Sequence, residues 1–134
     1  MKKIKFLTLE EVLFLHKNQI EKFGGSHGIR DRGLLESALA TPQATFSGVY
    51  LHTDLFEMAS AYFFHLVMNH PFIDGNKRIG TLAADVFLYT NGYDLTASPH
   101  EIERLALDTA QGKIDKHQIT SFLKTHSKKL KSAI

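Results

Sequence analysis

The chain has 134 residues, of which 43% are hydrophobic and 22% charged, with a formal net charge of +2. These values are ordinary for one soluble globular domain with its own core, so we predict a single domain over residues 1–134. The chain contains no cysteine, which excludes disulfide bonds and thiolate chemistry. Because the charged start of the chain leads into no sustained apolar run, a signal peptide is not predicted, and we expect a cytoplasmic protein.

The basic residues form only one cluster, at Lys124, Lys128, Lys129 and Lys131. Binding to nucleic acid requires a basic face that neutralises roughly six or more phosphates, whereas cations at a helix C-terminus are favoured by the helix dipole. We therefore predict no direct binding to nucleic acid. The uncharged run from residue 58 to residue 68 is shorter than the ~20 residues of a membrane helix, so no membrane contact is predicted either.

Capping signals place the first helix near the N-terminus, after a short extended lead-in. Thr8 and Glu11 have the spacing of a capping box, in which each side chain accepts a hydrogen bond from the other residue's backbone N–H. The apolar positions that follow include Phe23, and the pair Gly24-Gly25 is typical of a helix C-terminus. We predict a helix that ends at this pair.

The second helix is bounded by Asp31, a candidate N-cap, and by Pro42, which should terminate it. The residues between the first two helices, 26–30, are predicted to be a loop. Residues 41–52 show no regular pattern. We predict a loop there, either an ordinary connection or a segment that contacts a substrate, because loops beside active sites often do so.

Two apolar segments in the middle of the chain are predicted to be buried helices. Thr53 or Asp54 caps the first of them, which contains His65. We interpret His65 as a hydrogen-bonded core histidine. The second central helix begins at Asn76 and runs to Asn91-Gly92, a favourable helix end.

Two further helices are predicted from capping boxes at Ser98 and Glu101 and at Asp115 and Gln118. The sequence shows no internal repeat and no Asn-Gly turn flanked by strand-like alternation. We therefore predict an all-α fold, a compact single-domain bundle of about six helices.

The two central helices are separated by His70-Pro71-Phe72-Ile73-Asp74-Gly75-Asn76-Lys77-Arg78. Polar groups between buried segments cost free energy unless they have partners, so this stretch is better explained by a ligand than by a surface turn. Gly75 permits a sharp turn because it lacks a Cβ. The residues after it should form the first turn of a helix.

Three features of the stretch fit phosphoryl or nucleotidyl transfer. Backbone N–H groups at a helix start form an anion site, to which Lys77 and Arg78 add full charges. Asp74 is a candidate ligand for Mg²⁺, which bridges phosphates while keeping several waters. His70 is a candidate general base, because an imidazole titrates near neutral pH. In such reactions the protein mainly positions groups and neutralises charge.

The stretch resembles the Fic/Doc motif, H-x-F-x-[DE]-G-N-x-R, in a fixed register. The resemblance extends to Phe23-Gly24-Gly25, to Arg30-Asp31-x-Gly33-Leu34-Leu35 and to Asp54-Leu55-Phe56-Glu57, and so covers nearly the whole chain. It is strongest to the small death-on-curing (Doc) toxins. It implies the helical Fic/Doc fold, with residues 41–52 as a flap near the active site that aligns a target segment by β-augmentation.

Carried over to this chain, the resemblance implies His70 as the base, Phe72 as a core anchor and Asp74 as the metal ligand. ATP and Mg²⁺ are the implied cofactors. The residues implied to hold the nucleotide phosphates are Gly75, Asn76, Lys77 and Arg78.

Two positions bear on which group is transferred. Family members that transfer AMP usually carry Gly in place of Lys77 and Arg in place of Thr81, and the Doc toxins share both departures. Their kinase activity is attributed to ATP bound in a reversed orientation. A missing cation at position 81 removes a bidentate phosphate partner, which favours phosphoryl transfer.

AMP transfer on the same scaffold stays open. A catalytically silent module that only pairs with an antitoxin also stays open, although intact His70, Asp74 and Arg78 argue against it.

The resemblance also implies partners. The target of Doc toxins is elongation factor Tu, and its modification blocks translation, so we expect a protein hydroxyl as the acceptor. No clear [ST]-x-x-x-E-[GN] self-inhibitory helix is visible in the sequence. Control by a separate antitoxin is therefore expected, through a disordered segment that folds onto this chain.

Overall fold

The computed structural model describes residues 3–131, and most of this part is helical. In chain order the helices are α1 (Leu9–Phe23), α2 (Arg32–Ala40), α3 (Leu55–Asn69), α4 (Asn76–Thr90), α5 (Pro99–Ala110) and α6 (Lys116–Thr125), with a 3₁₀ turn at Thr41–Gln43. They pack around a hydrophobic core, which confirms the predicted all-α fold. Within the described part, no helix combines the length and the hydrophobicity needed to cross a bilayer.

The helix boundaries follow the capping residues of the sequence. α1, α5 and α6 begin with the three predicted capping boxes, and Asp31 and Asp54 cap α2 and α3. One of the apolar positions predicted for α1 does not face the core, because Phe23 is 62% exposed. Phe23 is the last residue of its helix, where the chain turns away at Gly24. Its interpretation as part of the apolar face is therefore wrong.

α3 and α4 approach each other closely at Gly80. α3 is buried over most of its length, against α2, α4 and α6. A Cβ at Gly80 would lie 2.8 Å from Val67 Cγ2 and 3.1 Å from the carbonyl oxygen of Phe63, both on α3. The missing side chain thus fixes the distance between the two helices, and with it the ends of the loop that joins them.

Replacing Gly80 with alanine should lower the free energy of unfolding by about 1–2 kcal/mol. Overpacking of a well-packed contact costs about 1–3 kcal/mol, and the better helix propensity of alanine returns up to about 1 kcal/mol. Denaturant unfolding measures the difference. Gly33→Ala in α2 is the matched control, because the nearest atom to its Cβ, Asp31 Oδ1, is at 3.4 Å. If both variants were equally stable, the close contact would not limit the packing of α3 and α4.

Within residues 3–131, four short β-strands that the sequence does not predict accompany the helices. β1 (Thr45–Phe46) and β2 (Val49–Tyr50) form an antiparallel hairpin, and β3 (Tyr93–Leu95) pairs with β4 (Ser127–Lys129). Each strand has two or three residues. Such strands are too short to show an alternation of apolar and polar residues in the sequence.

The first hairpin lies in the segment predicted as a loop or flap. Its turn residues Ser47 and Gly48 have φ angles of 51° and 78°, and two positive φ values are the geometry of a type I′ turn. The sequence carries Ser-Gly in place of the Asn-Gly or Asp-Gly that usually signals this turn. The hairpin also exposes apolar side chains, with Phe46 74% accessible to solvent.

His65 is half-buried in α3, and its Nε2 accepts a hydrogen bond from Lys116 Nζ at 3.0 Å. His52 Nε2 lies 3.5 Å from the same Nζ. Burial and the adjacent ammonium lower the pKa of His65 to about 4, and the same two causes lower the pKa of His52. The predicted hydrogen bond of His65 is confirmed, but its partner lies on a different helix. The three side chains join α3, α6 and the segment after β2.

The stability of the protein should therefore fall as the pH is lowered from about 7 to about 4. The pKa of His65 is below its unfolded value of 6.5, so the unfolded chain takes up a proton that the folded chain does not. Partial exposure reduces the contribution from the ~3 kcal/mol of a full shift to about 1–2 kcal/mol. Denaturant unfolding at several pH values measures this slope.

The control for this pH dependence is a pair of variants. His65→Gln should flatten the slope, whereas replacement of the exposed His100 should leave it unchanged. An unchanged slope in His65→Gln would contradict the assignment.

Candidate active site

The loop between α3 and α4, residues 70–75, has a left-handed backbone at both ends. His70 ends α3 with φ 48°, and Gly75 precedes α4 with φ 79°. A non-glycine residue in this region costs of order 1 kcal/mol or more, and such residues cluster at functional sites. The side chains of His70 and Asp74 are both exposed. The strained loop therefore presents an imidazole and a carboxylate to solvent.

The segment between α1 and α2 holds this loop by backbone hydrogen bonds. Gly28 accepts a bond from the N–H of Ile73 at 3.0 Å. The carbonyl oxygen of Pro71 accepts bonds from the N–H groups of Arg30, at 2.8 Å, and Asp31, at 3.0 Å. The predicted loop at 26–30 is thus a strap along the candidate site.

The Arg30 side chain fixes the end of α3. Its Nε donates to the carbonyl oxygen of His70, and its Nη2 donates to that of Asn69 at 2.8 Å. The last carbonyl groups of a helix have no intrahelical partner, so a guanidinium there satisfies them. Arg30 thereby stabilises the left-handed backbone of His70.

The Asp74 carboxylate is held by two backbone N–H groups. Its Oδ2 accepts a hydrogen bond from Ser26 at 3.1 Å, and its Oδ1 accepts one from Gly75 at 2.8 Å. These bonds, with a smaller contribution from Arg78, lower the pKa of Asp74. The carboxylate is therefore ionised at neutral pH, and each oxygen keeps a lone pair for a further ligand.

His16 of α1 lies beneath the loop and is only 4% exposed. Its Nε2 is 2.8 Å from the carbonyl oxygen of Asp74, and because a carbonyl only accepts, this nitrogen donates. The imidazole stacks on Phe72, with 3.8 Å between ring centroids and 8° between ring planes. Burial lowers the pKa of His16, so the neutral ring is favoured. Phe72 itself is buried, as expected of a core anchor.

The Asn76 side chain closes the loop on itself. Its Oδ1 accepts a hydrogen bond from the N–H of Phe72, and its Nδ2 donates to the carbonyl oxygen of Phe72, both at 3.0 Å. The amide is thus engaged with the backbone of the loop. What Asn76 can offer a phosphate is its own N–H at the start of α4, where N–H groups have no intrahelical partner.

The cations at the start of α4 differ in their surroundings. Lys77 is exposed, whereas Arg78 is partly buried and its Nη1 donates to the carbonyl oxygen of Gly24 at 3.1 Å. Thr81, one turn further, donates its hydroxyl to the carbonyl oxygen of Lys77 at 3.0 Å. The first turn of α4 therefore carries two cations, and the next turn presents a hydroxyl that is bonded within the helix.

A family model described as the Fic/DOC family matches residues 6–88. The chain belongs to the Fic/Doc family. The matched region includes the whole loop, the first turn of α4 and the strap between α1 and α2.

Two curated relatives are similar to this Fic/Doc chain. It is 47% identical over 75 residues to a protein named Toxin Doc from Mycolicibacterium smegmatis. This alignment covers 56% of this chain and 58% of that relative. It is 31% identical over 121 residues to a protein named Protein kinase doc from Escherichia phage P1. This alignment covers 90% of this chain and 94% of that relative. The second match spans both central helices and most of the remainder of the chain.

The Fic/Doc motif does not reveal the residues outside it that hold the loop in place. His16 is one of eight histidines with no distinguishing spacing, and Ser26 and Arg30 lie in a predicted loop. The signals in the sequence were the family resemblance that includes Arg30 and the pair Gly24-Gly25, which is longer than a helix C-cap requires. A Cβ at Gly25 would lie 2.7 Å from Asp74 Oδ2, so the second glycine makes room for the carboxylate.

The Asp74 site fits a hydrated Mg²⁺. The carboxylate is ionised, exposed and oriented by two N–H groups, and Mg²⁺ in phosphate-binding sites is usually held by one or two carboxylates with waters and substrate phosphates. The adjacent start of α4 with Lys77 and Arg78 fits the phosphates. Together these groups of the Fic/Doc loop can position an anionic nucleotide beside an imidazole.

Gly24 and Gly25 offer a matched pair of variants that separates backbone strain from the carboxylate. Both have positive φ angles, 88° and 121°, so alanine is strained at either position and should lower the stability of both by about 1–3 kcal/mol. A Cβ at position 24 has no heavy atom within 4 Å, whereas a Cβ at position 25 would displace the Asp74 carboxylate.

We therefore expect Gly25→Ala to lose affinity for Mg²⁺·ATP by about tenfold or more, and Gly24→Ala to keep it. Calorimetric titration measures the affinities, and thermal unfolding checks that both variants are folded. Equal affinities in the two variants would mean that Gly25 does not protect the carboxylate.

Proposed function

We propose that this protein is a Doc-type toxin that transfers the γ-phosphoryl group of ATP to a hydroxyl of a target protein. The observation that carries the proposal is the ionised Asp74 carboxylate, held by Ser26 and Gly75 at the start of α4, on the same loop as the exposed His70. The family and the printed names of the two relatives support it, since one is named a toxin and the other a protein kinase.

His70 is proposed to act as the general base. The hydroxyl of the target gives its proton to the imidazole, its oxygen forms a bond to the γ-phosphorus, and the bond from that phosphorus to the bridging oxygen breaks to leave ADP. An imidazole suits this task because a ring nitrogen that carries no proton can accept one from a hydroxyl. Arg30, which bonds the carbonyl oxygen of His70, supports the base in the left-handed backbone that exposes it.

Asp74 is the residue that would hold Mg²⁺, which when bound neutralises phosphate charge and orients the phosphates. The start of α4 would hold the phosphates themselves. In this proposal Lys77 and Arg78 supply charge, and Asn76 contributes its N–H, which points towards an anion at the helix start. Gly75 contributes the left-handed turn before the helix, because its own N–H is bonded to Asp74 Oδ1. The side chain of Asn76 positions Phe72 in the loop and does not need to reach the nucleotide.

The kinase reaction is favoured over AMP transfer by the second turn of α4. Thr81 has no charge, and its hydroxyl is bonded to the carbonyl oxygen of Lys77, so this position cannot clamp a second phosphate as a guanidinium would. The relative that covers 90% of this chain is named a protein kinase. AMP transfer is the second candidate, because the base, the metal ligand and the first-turn cations would serve either reaction.

Elongation factor Tu is the proposed target, and a separate antitoxin is the proposed inhibitor. Both follow from the likeness to Doc toxins, and modification of this factor would block translation. A cytoplasmic location follows from the same target. The exposed edge strands of the β1–β2 hairpin, with apolar side chains such as Phe46, would allow a target segment to pair by β-augmentation.

Labelled ATP tests which group is transferred. The purified protein is incubated with Mg²⁺, a cytoplasmic extract and ATP that carries the label at either the α- or the γ-phosphorus. Label from the γ-position in a protein supports the kinase, and label from the α-position alone supports AMP transfer. If neither label entered any protein, while the chain still bound an antitoxin, both transferase hypotheses would be wrong. The protein would then be a catalytically silent module that binds an antitoxin.

A further inference from the structure

His16 is the buried polar side chain that connects α1 to the candidate site. It contacts the loop in two chemically different ways, by a hydrogen bond from Nε2 to the carbonyl oxygen of Asp74 and by stacking on Phe72. Stacking requires only an aromatic ring. The hydrogen bond requires an N–H at one point, and it ends on the same residue whose carboxylate is the proposed metal ligand.

We propose that His16 is a positioning residue, whose Nε2–H bond to the Asp74 carbonyl oxygen orients the Asp74 carboxylate for Mg²⁺. This inference rests on the proposed function, since that function makes Asp74 the metal ligand. The carboxylate oxygens are held by Ser26 and Gly75, and the Gly75 N–H that binds Oδ1 lies in the same peptide plane as the Asp74 carbonyl group. The bond from His16 fixes that plane.

The direction of the bond follows from the surroundings of His16. The Asp74 carbonyl oxygen is an acceptor, so Nε2 carries the proton. With 4% of His16 exposed, water cannot easily take the place of its ring as a donor, and a carbonyl that lost this bond would rotate towards another partner. Ligand orientation by such outer contacts typically changes metal affinity by about 10–100-fold.

Two variants separate the hydrogen bond from the stacking. His16→Phe keeps an aromatic ring over Phe72 and removes the donor, whereas His16→Gln removes the ring and places an amide N–H near the position of Nε2. Tyr62→Phe is the matched control. The Tyr62 hydroxyl accepts a hydrogen bond from the N–H of Leu7 at 3.0 Å in the core, so this change also removes one buried bond between a side chain and a distant backbone.

The readout is the affinity for ATP, measured by calorimetry with Mg²⁺ and again with excess chelator. We expect His16→Phe to bind Mg²⁺·ATP about tenfold more weakly and metal-free ATP as the wild type does, because the start of α4 is unchanged. His16→Gln should recover most of the affinity for Mg²⁺·ATP, and Tyr62→Phe should lose none of it. Thermal unfolding is measured for all variants, so that losses of affinity are compared at known stability.

The proposal would be overturned if His16→Phe lost no more affinity for Mg²⁺·ATP than Tyr62→Phe does. It would also be overturned if His16→Phe lost as much affinity for metal-free ATP as for Mg²⁺·ATP. If His16→Phe does not fold, the wild-type protein decides by nitrogen NMR of its histidines. His16 should be protonated at Nε2, and its ring signals should shift with Mg²⁺·ATP but not with metal-free ATP. Signals that do not respond to the metal would overturn the proposal.

Failure of the proposed function is distinguished by the phosphoryl assay. If the wild-type protein modifies no target, but His16→Phe still loses affinity only for Mg²⁺·ATP, the positioning role is retained and the kinase is refuted. A protein that modifies its target, but whose His16→Phe variant keeps full affinity for Mg²⁺·ATP, would retain the kinase and refute the positioning role.

Discussion

Replacing His70 with alanine should lower the rate of transfer to the target protein by about 10²–10⁴, the usual cost of removing a general base. The imidazole is exposed, so its loss opens no cavity in the core. The left-handed backbone at φ 48° disfavours alanine slightly, so we expect the free energy of unfolding to fall by about 1 kcal/mol while the protein stays folded. The effect is measured as the initial rate of label transfer at saturating Mg²⁺·ATP.

Two controls separate the base from the backbone. His70→Asn also removes the imidazole, but asparagine tolerates the left-handed region, so its stability should match the wild type while its rate falls as far as that of His70→Ala. His100→Ala removes an exposed histidine of α5 and should leave the rate unchanged. Full-rate transfer by His70→Asn would show that His70 is not the base.

Asp74→Asn should reduce transfer by roughly 10²–10³, comparable to the loss of a preorganised electrostatic group. Asparagine keeps one carbonyl oxygen to accept from Ser26 or Gly75, but its NH₂ group faces the second donor and its charge is lost. The exposed site makes a large change in stability unexpected. The variant should also need more Mg²⁺ to reach half of its maximal rate, because an amide is a weaker ligand for a hard cation than a carboxylate.

The control for Asp74 is Asp94→Asn, which neutralises an exposed aspartate of β3 beyond the opposite end of α4. It changes the net charge by the same amount, so it corrects for long-range attraction of an anionic nucleotide. Transfer by Asp94→Asn should equal that of the wild type. An Asp74→Asn variant with an unchanged Mg²⁺ requirement would remove Asp74 from the metal site, whatever its rate.

The helices were predictable because their signals are local. Thr8, Asp31, Ser98 and Asp115 each cap a helix through a backbone N–H three residues later, which the sequence displays directly. The β1–β2 hairpin was missed, because Ser47 and Gly48 form a turn that other residue pairs signal more strongly. The β3–β4 pair was missed because it joins segments far apart in the chain.

The residues that support the candidate site could not be predicted for the same reason. The contacts of His16 with Asp74 and of Arg30 with His70 join residues that are distant in sequence, and such contacts depend on how helices pack. Asn76 shows a further limit. An amide at a helix start suggests a phosphate ligand, but the side chain of Asn76 is bonded to the backbone of Phe72, a contact that forms only in the folded loop.

The central claim is that His70 and the Asp74 loop transfer a phosphoryl group, and the mass of the modified target tests it most directly. Purified elongation factor Tu is incubated with Mg²⁺, ATP and either the wild-type protein or His70→Ala, and its intact mass is measured. The account predicts the mass of one added phosphoryl group with the wild type and an unmodified factor with the variant over the same time. An added AMP, or equal phosphorylation by both proteins, would contradict it.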